Sequence, residues 1–465
     1  MLKIYNSKTK QKEEFKPIDP KKVKMYTCGV TVYDRPHIGN ARTYIACDIL
    51  YRTLMEIYGK DNVIYVKNIT DVDDKINIKA IERKISIQKL TTEITEYLHK
   101  DMEYLNILPP VKEPKATEHI GEMIAIIEKL IANGNAYVAE GHVLFDVNSY
   151  KDYGKLSGRS LDEMIAGSRV EVASYKKNPM DFVLWKPALK TDDASSIFDS
   201  PWSKGRPGWH IECSAMSHKY LGENFDIHCG GNDLKFPHHE NEVAQSVCAF
   251  KDSTFANYWF HIGFLTVAGE KMSKSLGNFT TVKELQEKGI RGAVIRFAFL
   301  KNHYRKPFDF SMQALEEAEK NLKDLHHAIF SVKDKNVNEI KLPKKILEAL
   351  EDDLNTSKAI AELNNIKNHI THKVINEDSI KKHSKGLKKA LIFLGVYDES
   401  FFKEANKNLS GLEITELDIE KKIRERLHAK RGKNWEVADR IRDYLLEEGI
   451  VLKDNLAGTD WSVKK

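Results

Sequence analysis

What most constrains this chain is the order strand, glycine-containing loop, long helix between residues 23 and 58. Val23-Lys24-Met25-Tyr26-Thr27-Cys28-Gly29-Val30 alternates and clusters apolar residues as a strand does, Asp34-Arg35-Pro36-His37-Ile38-Gly39-Asn40 has loop chemistry, and Ala41 to Tyr58 carries a helical period. Asn62-Val63-Ile64-Tyr65-Val66 then predicts a second strand, and a charged helical stretch follows Asn68-Ile69-Thr70-Asp71 to about Asn106. Strands alternating with helices bury both faces of a parallel sheet, so an α/β architecture is expected. The period returns after a gap, in Gly208 to Leu221, in Phe225-Asp226-Ile227-His228-Cys229-Gly230-Gly231, in a helix after Pro237, and in Tyr258-Trp259-Phe260-His261.

The intervening region, from about Thr117 to Trp202, has one helix and short strand-like pieces separated by polar loops, as an inserted subdomain would. From about Ser311 the pattern is almost wholly helical, with breaks near Lys341-Leu342-Pro343 and Gly395. The expected organisation is therefore 1–116 and 203–265 as two halves of a catalytic α/β domain, 117–202 as an insertion, 266–310 as a loop and contact region, 311–400 as a helical bundle and 401–465 as a small last domain. A length of 465 residues gives room for about three such cores. A content of 41% hydrophobic and 30% charged residues excludes a collagen-like or mostly disordered chain. No stretch approaches the ~18 apolar residues of a membrane span and the first residues lack an apolar secretory core, so a cytoplasmic protein without membrane contact is expected.

Two short motifs carry phosphate chemistry. Lys271-Met272-Ser273-Lys274-Ser275 gathers two ammonium groups and two hydroxyls between small residues, an arrangement that can stabilise charge on a leaving pyrophosphate without any proton transfer. A solvated lysine-rich turn has the same composition. Pro36-His37-Ile38-Gly39-Asn40 stands at a strand-to-helix junction, where a helix N-terminus and a close-packing glycine can receive a phosphate. Together the two occupy the beginning and the end of the α/β region, and there the chain resembles the class I aminoacyl-tRNA synthetases, whose paired signatures are HIGH and KMSKS. The second signature is intact; the first ends in Asn40 in place of histidine, so that position can donate a hydrogen bond but carries no positive charge.

A third group points to a metal. His238 and Glu242 in Phe236-Pro237-His238-His239-Glu240-Asn241-Glu242 are four apart on a helix that Pro237 would start, so they share a face. With Cys28 and Cys213 they would make a tetrahedral zinc set, although buried free thiols and a surface His–Glu pair are the ordinary uses of these residues. The five cysteines are scattered, which favours reduced thiols. These segments, with Thr27 to Asp34, Asn68 to Lys75 and Gly208 to Met216, resemble the cysteinyl-tRNA synthetase family over nearly the whole chain.

That resemblance implies a Rossmann-like catalytic domain and one Zn²⁺ per chain held by Cys28, Cys213, His238 and Glu242, so that sulfur coordination distinguishes cysteine from serine. It implies a cysteine pocket of Gly29, Thr70, Trp209 and His238, and ATP taken with Mg²⁺ by His37, Gly39, Asn40, Gly230, Asp233 and Lys274. His37, Lys271 and Lys274 would stabilise phosphate charge in catalysis. The product would be cysteinyl-tRNA(Cys), made by a monomer from L-cysteine, ATP and tRNA. Seven basic residues between Lys421 and Lys433 stand beside Trp435, and Arg424, Arg431, Lys433, Trp435 and Trp461 are the expected tRNA contacts. Two other readings share parts of this pattern: a ligase that passes cysteine to an amino sugar, and a non-catalytic zinc protein that binds RNA.

Overall fold

The computed structural model describes residues 1–159, 173–189, 192–271, 279–329, 337, 339–372, 377–405, 411–455 and 458–464. They form two compact units. The first comprises Met1–Ile290, His303–Phe310 and Glu351–Leu354; the second comprises Arg291–Asn302, Ser311–Leu350 and Asn355–Lys465.

The first unit is built on a four-stranded parallel sheet in the order Phe255–Ile262, Asn224–Gly231, Val23–Thr27, Val63–Lys67. All four strands are expected from the sequence, though Val23–Thr27 ends three residues before Val30 and Phe255–Ile262 begins three before Tyr258. Val23, Met25, Tyr26, Ile227, Trp259 and Phe260 are fully buried, as a sheet covered on both faces requires. Val23–Thr27 is flanked on one side by the next strand in sequence and on the other by a strand from two hundred residues later, with Met25 opposite Tyr65 and Ile227. At such a reversal of strand order the helices diverge and leave a crevice beyond the carboxyl ends of the strands.

The helix Ile38–Tyr58 follows the first strand. Its N-cap, His37, accepts from Asn40 N, while the Asn40 side chain accepts from His37 N. This reciprocal box satisfies two otherwise orphaned helix donors. The long helix expected up to Asn106 is two helices, Asp74–Arg83 and Ile87–Tyr104. Lys84 ends the first in the left-handed region (φ 52°), and Ser86 caps the second by accepting from Lys89 N at 3.2 Å. The helix Ile120–Ala132 is followed by an antiparallel sheet of Ala136–Ala139, His142–Phe145, Phe182–Pro187 and Gly205–Pro207, whose last strand lies beyond the expected boundary at Trp202.

The N-terminal hairpin Lys3–Asn6/Gln11–Glu14 is tied to this unit by Asp353, which is 1% exposed. Its carboxylate accepts from Tyr5 N (2.9 Å), Tyr304 Oη (2.6 Å) and Arg305 Nε (2.8 Å).

The second unit is helical, as its periodicity indicates: Gly292–Leu300, Met312–Ala328, Lys344–Glu351, Thr356–His372 and Glu377–Phe393 precede the last module. That module packs Glu416–Arg431 and Trp435–Glu447 with an antiparallel hairpin, Ile450–Asn455/Gly458–Val463, around Ile414, Ile419, Ile423, Leu445 and Ile450. Among the described residues no helix is long and apolar enough to cross a membrane.

Asp353→Ala would leave the buried Tyr304 hydroxyl and the Arg305 guanidinium without their acceptor and should cost about 3 kcal/mol. The check is a thermal unfolding scan; a midpoint within about 1 °C of the parent protein contradicts the assignment.

Candidate active site and metal centre

The crevice predicted by the strand order is lined by several of the residues singled out in the sequence, Cys28, Gly29, His37, Asn40, Trp209 and Asp233 among them. Cys28 and Gly29 leave the end of Val23–Thr27, and Gly29 N donates to Asn68 Oδ1 at 2.8 Å. The approach is so close that a Cβ at Gly29 would lie 1.6 Å from the Asn68 carbonyl oxygen, which only glycine accommodates. Asn68 Oδ1 also accepts from Tyr26 Oη (3.1 Å) and the Cys213 thiol (3.7 Å), and its amide donates to Thr70 Oγ1 (3.3 Å). Thr70 in turn donates to the buried Glu212 at 2.9 Å. Asn68 and Glu212 therefore hold Gly29, Thr70 and Cys213 in register, a part of the site that sequence reasoning missed.

Cys28, Cys213, His238 and Glu242 converge as expected, with one donor atom from each lying within 4.8 Å of the others, and all four are buried. Cys28 Sγ is 3.3 Å from Glu242 Oε1 and 3.5 Å from His238 Nε2, and His238 Nε2 is 3.0 Å from Glu242 Oε1. His238 belongs to the turn Lys235–His239 and Glu242 to the following helix Glu240–Ala249, so the four-residue spacing does bring the two together. Burial, reinforced by Cys213, pushes the Cys28 thiol well up, whereas the hydrogen bond from Cys28 holds Cys213 down to about 6. Burial opposes charge on Glu242 and His238 alike, yet His228 and His238 keep the Glu242 carboxyl well below its usual range, and Glu242 with Cys213 pushes His238 up to about 10. Two sulfurs, a carboxylate and an imidazole packed this closely out of water make a site that a divalent cation would occupy by displacing their protons. Two sulfurs, one nitrogen and one oxygen are a donor set suited to a borderline-soft ion.

Four further histidines surround the cluster. His210 Nδ1 is 2.9 Å from His238 Nδ1, which directs His238 Nε2 toward Cys28 and Glu242, as outer partners of metal-ligating histidines do. His228 Nε2 is 2.8 Å from Glu242 Oε2, and His239 Nδ1 is 2.8 Å from His261 Nε2. Cys28, His228, His239 and Glu242 form a second, overlapping donor group with one sulfur only. Burial is the main cause that lowers His210, His239 and His261. A signal existed: six of the chain's seventeen histidines fall between residues 210 and 261.

Beside the cluster opens a cavity of about 240 Å³ lined by Cys28, Gly29, His37, Asn40, Trp209 and Asp233, among others. The Trp209 ring is 4.4 Å from that of His238 and 40% exposed. The His37 Nδ1 atom accepts from Asn40 N, which places its ring proton on Nε2. The Asn40 carbonyl oxygen is engaged by His37 N at 3.1 Å, leaving the amide NH₂ as its donor. Gly39 lies in the first helical turn with its carbonyl accepting from Thr43. Gly230 packs against His239, where a Cβ would stand 2.7 Å from the ring, and the neighbouring Gly231 lines the cavity. Lys271 ends a short strand, Glu270–Lys271, paired with Leu265–Val267; Lys274 lies outside the described residues.

In the last module Arg431, Lys433 and Trp435 are exposed, Trp435 by 58%. Arg424 donates to the His327 carbonyl (3.1 Å), and Trp461 Nε1 donates to Glu420 (3.1 Å) while its ring packs on the module's core. Arg426 and Lys430 both pair with Asp454, so fewer of the seven basic groups are unopposed than the sequence indicates.

Residues 14–320 match the family described as tRNA synthetases class I (C) catalytic domain. The chain is 50% identical to a cysteine–tRNA ligase of Beijerinckia indica, with 100% of each chain covered, and 50% identical to a cysteine–tRNA ligase of Rickettsia felis, covering 98% of this chain and 97% of that one. Its fold is similar to that of Mycobacterium tuberculosis methionyl-tRNA synthetase in complex with methionyl-adenylate, with a TM-score of 0.56, 14% identity, and coverage of 82% of this chain and 93% of that one. A switch-point crevice with its buried donor cluster, and half-identical relatives matched from end to end, leave one assignment: this chain belongs to the class I aminoacyl-tRNA synthetases, within the cysteine–tRNA ligase family.

Proposed function

We propose that this chain activates L-cysteine with Mg-ATP and transfers it to the 3′-terminal adenosine of tRNA(Cys). The observation that supports this best is the cavity itself, because its lining joins Cys28 of the donor cluster to His37 and Asp233 on the nucleotide side. An amino acid held by its side chain at Cys28 would present its carboxylate toward a phosphate held at His37. In the first step a carboxylate oxygen bonds to the α-phosphorus and pyrophosphate leaves. In the second a ribose hydroxyl of tRNA bonds to the cysteinyl carbonyl carbon and AMP leaves.

Cys28, Cys213, His238 and Glu242 are the residues that would hold zinc, with His210 orienting His238. When bound, zinc supplies a soft Lewis acid that favours a thiolate over a hydroxyl. Gly29, Thr70 and Trp209 border the cysteine. His37 donates through Nε2 to phosphate, Asn40 offers its NH₂ beside it, and Asp233 accepts from ribose hydroxyls, with Gly39 and Gly230 giving the close packing. Lys271 and Lys274 neutralise the departing pyrophosphate. Residues 117–202 are read as a connective insertion and 401–465 as an RNA-reading module. There Arg431, Lys433 and Trp435 face the anticodon, braced by Arg424 and Trp461. Full-length relatives that share this module favour tRNA over an amino-sugar acceptor. Action as a cytoplasmic monomer completes the reading.

Cysteine-dependent exchange of pyrophosphate into ATP tests the activation step. Lys274→Ala should lower kcat by about a hundredfold or more while the dissociation constant of cysteine stays within about twofold. Equal losses in both would remove Lys274 from the pyrophosphate role. The purified protein should carry about one zinc per chain, and Cys213→Ser should lose both the metal and the preference for cysteine over serine. Full preference in metal-free protein would overturn the zinc assignment.

A further inference from the structure

Arg42 lies two residues beyond the Pro36–Asn40 motif and is 3% exposed. Among the described residues no carboxylate faces it. Its guanidinium donates instead to four main-chain carbonyls: Gly263 (2.7 Å) and Phe264 (2.6 Å) from Nη1, and Tyr304 (3.4 Å) and Lys306 from Nη2. The Phe308 ring stands 5.7 Å from it. Burial draws this guanidinium down to about 10, so the charge is kept in place at a cost. Placing a cation there with nothing but carbonyl dipoles is an unusual solution for mere packing, since a neutral side chain of similar volume would avoid the desolvation.

The carbonyls it gathers belong to one junction. Gly263 and Phe264 connect the sheet strand Phe255–Ile262 to Leu265–Val267, which pairs in parallel with Phe308–Phe310 and antiparallel with Glu270–Lys271. The chain segments approach so closely here that a Cβ at Gly263 would lie 2.6 Å from the Arg305 carbonyl oxygen. Asp309 reinforces the hairpin by accepting from Thr266 Oγ1 (2.8 Å) and Gly269 N (2.9 Å). The same helix also holds the chain where it returns: Ile38 N donates to Thr280 O at 2.9 Å, His37 bridges to Thr281, and the His37 and Phe279 rings meet edge-on at 5.4 Å. One helical turn and a half thus carries His37, the anchor at 279–281, and the anchor at 263–264.

We propose that Arg42 is a positioning residue for adenylate formation: by fastening the Gly263–Phe264 junction to the helix that begins at His37, it sets where Lys271 stands relative to the phosphate-binding end of that helix. The proposal rests on the activation chemistry proposed above. Arg42 touches neither the metal donors nor the cysteine side of the cavity, so its loss should act on ATP and the chemical step alone. A lysine cannot replace it, because one ammonium has no planar fork to span carbonyls from two segments.

The test compares Arg42→Lys and Arg42→Gln with the parent protein in cysteine-dependent ATP–pyrophosphate exchange. Equilibrium dialysis of labelled cysteine, zinc content and amide hydrogen exchange are measured on the same preparations. We expect kcat to fall by about tenfold or more, as misplacement of a charge-stabilising group does, with the cysteine dissociation constant and zinc content within about twofold of the parent. Amides of Leu265–Val267 should exchange faster while those of Val23–Thr27 keep their protection. Unchanged exchange kinetics in Arg42→Lys would overturn the proposal. So would parallel losses in cysteine binding and in protection of Val23–Thr27, which would make Arg42 a structural residue only. Should Arg42→Gln fail to fold, Arg42→Lys decides. Absence of cysteine-dependent exchange in the parent protein would instead sink the functional reading, and this inference with it.

Discussion

The structure depends on the pairing of Val23–Thr27 between two parallel strands that reach it from opposite ends of the catalytic sequence. Because Val63–Lys67 lies on one side and Asn224–Gly231 on the other, the chain must open beyond Thr27, and Cys28, Gly29, His37, Asn40, Trp209 and Asp233 line that opening. Gly29 sits there because the Asn68 backbone passes too close for any side chain. Asn68 then ties the first strand to the second, and through Cys213 to the helix Trp209–Leu221. Removing any one of these contacts would loosen the others, since they share a single carboxamide.

The buried donor cluster has a cost that only function explains. Two cysteine sulfurs, a carboxylate and an imidazole are held out of water, each partnered by the others rather than by solvent. The histidines around them supply hydrogen bonds that orient the donors, His210 to His238 and His228 to Glu242. This is the environment in which sulfur can be told from oxygen by bonding, where a size difference of a fraction of an ångström could not serve.

Much of this was legible in the sequence because the relevant patterns are local. The parallel strands announced themselves as short apolar runs, the helix after His37 by its period, and the His238–Glu242 pair by a four-residue spacing. What was not legible depends on partners distant in the chain. Nothing near Asn68, Glu212 or His210 indicates which groups they will meet. The helix break at Lys84 was hidden because a lysine can take the left-handed conformation without announcing it as glycine would. Gly230 and Gly231 could not be told apart, since only the packing of His239 decides which of them faces the cavity. Nothing in the sequence indicated that Arg424 would meet a backbone carbonyl or Trp461 the Glu420 carboxylate. Lys274 remains a proposal from sequence, outside the described residues.

The account stands most directly on ATP-dependent charging of unfractionated tRNA with labelled cysteine, run beside labelled serine. It predicts that cysteine alone becomes attached, through an ester that alkali releases. Charging with neither amino acid, or with both alike, would contradict it.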